Sequence, residues 1–311
     1  MRFLAMAALG AGAFTACDPQ PEPAQFQVDS YAAGADATPG DGECETAAGT
    51  CTLQAALEEA NAAGRTVVTL PGSDSASYAG FDATITGSLR VVVEDTGSGA
   101  SATIDSGSFT VPEGASLRLE GVEVLGSISV SGTLVANRLG AEAIDVSSTG
   151  LAMISNAVLL PDVEPAFVNR GDAWIVYSTI GLEDGEGGLV TLDYGNTTIA
   201  ATAVLAIDTT SAVTCSGRLP GSLGSNAVSD SACGLTGTGD QQGIGPVGLT
   251  ELFPSSGSPL VDVIAPGMLG CGTDVTNDAR GPYGPRPSDG DGDGIAACDI
   301  GAYELWAPTA F

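Results

Sequence analysis

The sequence predicts an all-β protein: a right-handed parallel β-helix with a short N-terminal capping helix and a loop-rich, disulfide-stapled C-terminal tail. Three observations point there. Glycine is abundant, 44 of 311 residues, while charged residues make up only 15%, a balance foreign to helical bundles. Short alternating segments led by glycine recur through the middle of the chain, and a single amphipathic helical pattern precedes them.

The chain begins "MRFLAMAALGAGAFTAC", in which Arg2 is followed by an apolar run, Phe3 to Phe14, too short to span a bilayer, and by small residues before Cys17. This reads as an export signal over residues 1–17. The run "FTAC" resembles a bacterial lipoprotein box, which makes Cys17 the lipidated residue; cleavage at a small-residue site such as after Ala13 is the alternative. Next, "DPQPEPAQFQ", Asp18 to Gln27, is proline-rich and polar, so residues 18–43 are expected to form an extended spacer.

In "CTLQAALEEANAAG", Leu53, Ala56, Leu57 and Ala60 share one helical face, Thr52 is placed to cap the N-terminus, and Gly64 stops the helix. Its expected task is to cover the open end of the solenoid. That solenoid, with its helix, is assigned to residues 44–206. Segments aligned on Gly87, Gly107, Gly126, Gly150, Gly171 and Gly188 put apolar residues two and four places after each glycine: Leu89 and Val91, Phe109 and Val111, Ile128 and Val130, Ala152 and Ile154, Ala173 and Ile175, Val190 and Leu192. Strands this short, recurring about every 20 residues, bury a core only by stacking on one another, as in a β-helix; a β-sandwich would bring its hairpins at closer spacing. Residues 207–311 carry glycine, proline and serine in place of the pattern and are expected to end the β-helix and wrap its last coils.

Acids outnumber bases 38 to 9, giving a formal charge of −29, and every basic residue is arginine, with no histidine or lysine. Nucleic acid and anionic lipid are therefore poor partners and divalent cations good ones. Histidine-dependent nucleophile systems, histidine-ligated zinc and lysine Schiff bases are excluded, leaving carboxylate, arginine, tyrosine or metal-assisted chemistry. Setting Cys17 aside leaves six cysteines, an even number that in an exported protein points to disulfides. They fall in local couples, Cys44 with Cys51, Cys215 with Cys233 and Cys271 with Cys298, expected to be three bridges; free or metal-bound thiols are the poorer alternative, since paired zinc-type spacing is missing.

The stretch "CTLQAALEEAN" resembles the N-terminal motif of bacterial surface proteins named for Cys-Ser-Leu-Arg-Glu-Ala-Ile, matching at Cys51, Leu53, Ala56, Ala60 and Asn61. Farther on, "SGSPLVDV", "DARGPYGPRP" and "DGDGDGIAACDIGAYE" resemble, in that order, the choice-of-anchor Q domain. Together the resemblances bracket residues 44–304 and imply an exported, pectin-lyase-like β-helix held at the cell envelope, with Cys17 as its anchor. They imply no activity.

Asp289, Asp291 and Asp293 alternate with glycines, as in loops that wrap Ca²⁺ with hard oxygen ligands; Ile295 would add a carbonyl and Asp299 a further carboxylate. A structural calcium locking the tail is the expectation, with a solvated acidic turn as the alternative. Trp174 lies in the outward column of the alternation beside Met153, where it suits stacking on sugar rings, although burial beneath the C-terminal wrap is the plainer expectation. The functional expectation is an adhesin-like or envelope-structural surface protein that binds polysaccharide or cell-surface partners without catalysis. The rival is a calcium-assisted lyase or a carboxylate-dependent glycoside hydrolase drawing on Arg90, Arg118, Arg138 or Arg170 and on Asp105, Glu120, Glu123, Asp145 or Asp172.

Overall fold

The computed structural model describes residues 22–73, 75–94, 101–161, 165–182, 188–191, 194–206, 213–245 and 253–306; Cys17 lies outside them. Strand alternation sends every second side chain inward, and parallel pairing of successive coils stacks those side chains into columns. In one such column Val68, Val91, Leu119, Ala136, Ile154, Ile175 and Ile199 occupy the same register position, and all are buried. Each contributes about 1.5–3 kcal/mol of apolar burial, or less where alanine stands. A parallel β-helix is the result.

Among the described residues its strands form two long parallel sheets. The first sheet runs, neighbour to neighbour, through Ala24–Gln27, Arg65–Pro71, Ser88–Glu94, Ser116–Glu120, Thr133–Asn137, Leu151–Ser155, Asp172–Val176, Asn196–Ala200 and Gly221–Ser222. The second sheet bends into two ladders, and Val122–Val130 and Gly140–Val146 pass through the bend. From the strand Ser116–Glu120 onward the coils leave the first sheet at a positive φ: Gly121, Arg138, Asn156, Tyr177, Ala201 and Ser225 hold this corner in successive coils. Left-handed backbone costs a non-glycine residue about 1–2 kcal/mol. Its recurrence from coil to coil makes it a property of the fold rather than of one site.

The helix α1, Leu53–Ala63, forms as the sequence predicts. The Thr52 hydroxyl accepts the Ala55 N–H at 3.1 Å, and the Gly64 N–H, at φ 80°, returns to the Ala60 carbonyl. Its buried leucines and alanines join the core of the first coils. The helix also buries Glu59, whose carboxylate accepts the N–H groups of Gly40 and Gly42 and so ties the preceding loop to the helix. Asn61 bridges to the next coil, donating to the Thr84 carbonyl and accepting from the Thr86 N–H.

Three expectations need correction. The spacer does not reach residue 43, because Ala24–Gln27 pairs in parallel with Thr66–Thr69 as the first strand of the first sheet and buries Phe26. Apolar Phe26 and Val28 outweigh the polar, proline-rich character read from their surroundings. The glycine-led segments also mix two faces: those after Gly87, Gly150 and Gly171 belong to the first sheet, and those after Gly107, Gly126 and Gly188 to the second. Each coil holds strands of both sheets, so a repeat counted on glycine alone joins unlike elements. In the last of these segments Leu189 and Thr191 are buried, Leu189 in register with Phe167 and Cys215, while Leu192 lies outside the described residues. The three expected disulfides, Cys44–Cys51, Cys215–Cys233 and Cys271–Cys298, are all present.

Candidate functional site

The middle outward position of the first sheet forms a second column, exposed or half-buried where the core column is buried. It reads Val67, Arg90, Arg118, Val135, Met153, Trp174 and Thr198. Met153 and Trp174 are adjacent, at 40% and 44% exposure. The C-terminal wrap does not cover Trp174, which corrects the plainer expectation. Instead the segment from Asp274 to Pro282 stands beside the column as a wall, enclosing a groove of about 770 Å³ whose floor includes Arg118, Val135, Met153 and Trp174. A smaller continuation of about 390 Å³ runs along Arg65, Arg90 and Arg118 toward the N-terminal coils.

Glu120 is held on this face by Arg90 at 2.9 Å and faces Arg118 at 3.8 Å. Arg138, at the corner, reaches Gly281 of the wall: a Cβ on Gly281 would lie 2.2 Å from a guanidinium nitrogen of Arg138, and the glycine sits at φ +67°. Only glycine fits there, which explains one position of "RGPYG". The Arg138 guanidinium has no hydrogen bond or ion pair among the described residues. The other charges named by the sequence are elsewhere: Arg170 pairs with Asp145, Asp172 accepts from Asn196, and Glu123 accepts from Thr103. Asp105 lies beside Glu123 in a separate shallow depression.

The wall is fixed by a buried ionic clamp. Arg286 and Glu304, both with fully buried side chains, pair at 2.7 Å. The Arg286 guanidinium donates to the carbonyls of Asp299 and Gly301 and lies 4.5 Å from the centre of the Tyr177 ring, whose residue is one of the solenoid corners. Asp278 is buried, bonded to Arg280, and accepts the Glu304 N–H. Arg280 in turn lies over Trp306, 4.5 Å from its ring centre. The tail docks through main chain as well, since the Ala302 N–H donates to the Thr179 hydroxyl and the Gly301 N–H to the Ala201 carbonyl. Burial pushes the Glu304 carboxyl up to about 8 against the pull of Arg286, and Asp299 up to about 6. The carboxyls with the strongest shifts thus sit where solvent does not reach. They belong to the clamp and not to the groove.

The acidic loop assembles only in part as expected. Asp289 and Asp291 come together with Asp262, each offering a carboxylate oxygen within 4.8 Å of the others. Asp262 lies in "SGSPLVDV" and went unassigned because a partner so far upstream has no local spacing signature. Asp293 accepts the Ile295 N–H and falls outside the group. Asp299 is a clear correction. Fully buried next to Cys298, it accepts the N–H groups of Asp262 and Leu305 and serves the clamp. The fit to a cation rests on one further observation: Oδ1 of Asp262 is buried without a partner, while its Oδ2 accepts from Gly290 and Asp291.

No family model, curated protein or solved structure matches this chain.

Proposed function

We propose that the protein is an exported β-helix, anchored through Cys17 at the cell envelope, that binds polysaccharide or other envelope components in the groove on its first sheet and does not cleave them. The carrying observation is that Trp174 and Met153 stay exposed on the floor of a groove walled by a rigidly clamped tail. An indole face offers a flat apolar plane to the C–H face of a sugar ring, and the groove sets polar side chains such as Asn137 and Asn277 around that plane, where they suit sugar hydroxyls. Ca²⁺ is proposed as a structural ion that Asp262, Asp289 and Asp291 would hold, supported by the orphaned Asp262 oxygen. Nucleic acid is not a proposed partner, and contact with a membrane is proposed only through the lipid.

The test incubates the protein with acidic and neutral polysaccharides, with and without Ca²⁺, and scores retained protein and new chain ends together. Retention without new ends supports this reading. New chain ends support the rival, a polysaccharide lyase or glycoside hydrolase, for which Arg138 at the groove's edge, without an ion pair among the described residues, is the specific residue to replace. Of the carboxylates lining the groove, Glu120 is engaged by arginines, Asp278 is buried against Arg280, and Asp274 alone stands exposed on the wall, which favours binding over hydrolysis. Two free carboxyls flanking one bond, as hydrolysis requires, are not among them.

A further inference from the structure

Two stripes run side by side along the groove floor. Val135, Met153 and Trp174 follow one another in register, and Asn137 and Ser155 stand two residues farther along the first two of these strands, paired with each other and facing outward. At about 3.3 Å of rise per residue, the apolar and the polar stripe lie roughly 6.6 Å apart. The Asn137 Oδ1 accepts the Ser155 hydroxyl at 3.1 Å and the Asn156 amide at 3.1 Å, whereas its Nδ2 has no partner among the described residues. Resting on the polysaccharide reading above, we propose that the groove selects an uncharged glycan, its sugar rings stacked on Met153 and Trp174 along the solenoid axis and their hydroxyl edges met by Asn137, which sets the specificity.

Charge and hydrogen-bond chemistry both select it. The groove lining sets Arg118 and Arg138 against Glu120, Asp274 and Asp278, so it has no cationic surplus, and the chain as a whole carries a charge of −29. A polyanion is therefore repelled by the surface around the groove and meets nothing inside that offsets the repulsion. A hydroxyl both donates and accepts, and so fits the Asn137 amide nitrogen beside the Ser155 oxygen; a carboxylate only accepts and an ammonium only donates. The indole of Trp174 supplies the flat apolar face that a ring's C–H groups need. From Val135 to Trp174 the stripe covers two strand steps, roughly 10 Å at about 4.8 Å per step, which seats consecutive rings of a chain rather than one sugar.

The test measures binding of dextran, mannan, xyloglucan, galactan and fully methyl-esterified polygalacturonate, with free-acid polygalacturonate as the charged counterpart of the last, to the wild-type protein and to variants whose melts match it. At least one uncharged polymer is expected to bind at least tenfold more tightly than polygalacturonate at about 0.02 M salt and to keep its affinity at about 0.5 M, where screening removes the repulsion of the acid. Asn137→Ala, which takes away the hydroxyl partner, weakens that polymer about fivefold, and Trp174→Ala weakens it further by removing the stacking plane. Polygalacturonate bound at low salt as tightly as every uncharged polymer overturns this inference while leaving polysaccharide binding intact, and so does an Asn137→Ala variant of unchanged affinity. Failure of every polymer, charged and uncharged, overturns both.

Discussion

The solenoid and the tail that walls its groove are stabilised by opposite means. Between residues 65 and 206 the fold rests on repeated apolar columns, each coil supplying its own share, so local sequence carries the information. From 253 to 306 regular elements are brief, and order comes from buried ions, a disulfide and main-chain docking onto solenoid corners. Apolar stacking builds a scaffold that tolerates drift in coil length. A buried ion pair holds only when every partner is in place, which suits a wall that must stand at one position beside Trp174.

Breaking the clamp separates the two regions most sharply. Glu304→Ala strands Arg286 as a buried, unpaired charge at a cost of about 3–5 kcal/mol. Hydrogen exchange should show protection lost across the tail while amides of the first sheet keep theirs. Ile154→Ala tests the other region: a cavity in the core column costs about 2–5 kcal/mol and should lower the melting temperature of the solenoid itself. Reducing Cys271–Cys298, which closes the tail onto itself, should cost about 2–4 kcal/mol and again act on the tail first.

pH offers a gentler probe. Burial raises the Glu304 carboxyl to about 8 from its ordinary 4.5, so the folded tail holds this proton more tightly than the unfolded chain does. The resulting stabilisation is complete below about pH 4.5 and is lost as pH rises through about 8, because pairing with Arg286 offsets only part of the cost of burying the ionised carboxylate. Tail protection should therefore fall between about pH 5 and pH 8, and Glu304→Gln, which stays neutral, should flatten that dependence. The smallest effect is expected from Ca²⁺, whose removal by chelator should lower the melting temperature of the tail; an unchanged melt would leave the acidic loop as a solvated turn.

The same contrast sets what the sequence makes legible. Thr52, Gly64 and the helical face between them announce α1, and the cysteine couples announce all three bridges, because these signals are local. Inward residues such as Leu89, Ile128 and Ile175 follow from alternation. The assignment of strands to two sheets does not, since glycine marks turns at more than one corner of each coil. Within the site, Trp174 and Met153 were visible as outward neighbours, whereas their exposure depends on where a distant segment stands. The clamp was beyond reach for a related reason: "RGPYGPRP" and "GAYE" show charged and aromatic residues, and only folding brings Arg286 to Glu304 and Tyr177. Asp299 illustrates the risk of reading a run by spacing alone, because its backbone turns inward at the Cys298 bridge and takes the carboxylate out of the loop.

The most direct measurement of the central claim is oxidative footprinting of side chains with and without a retained polysaccharide. Trp174 and Met153, exposed on the groove floor, should be protected by the polymer, while Tyr194, 86% exposed and not part of the groove lining, should react at an unchanged rate. Protection of Tyr194 with Trp174 and Met153 unaffected would place binding elsewhere on the molecule and contradict the assignment of the groove.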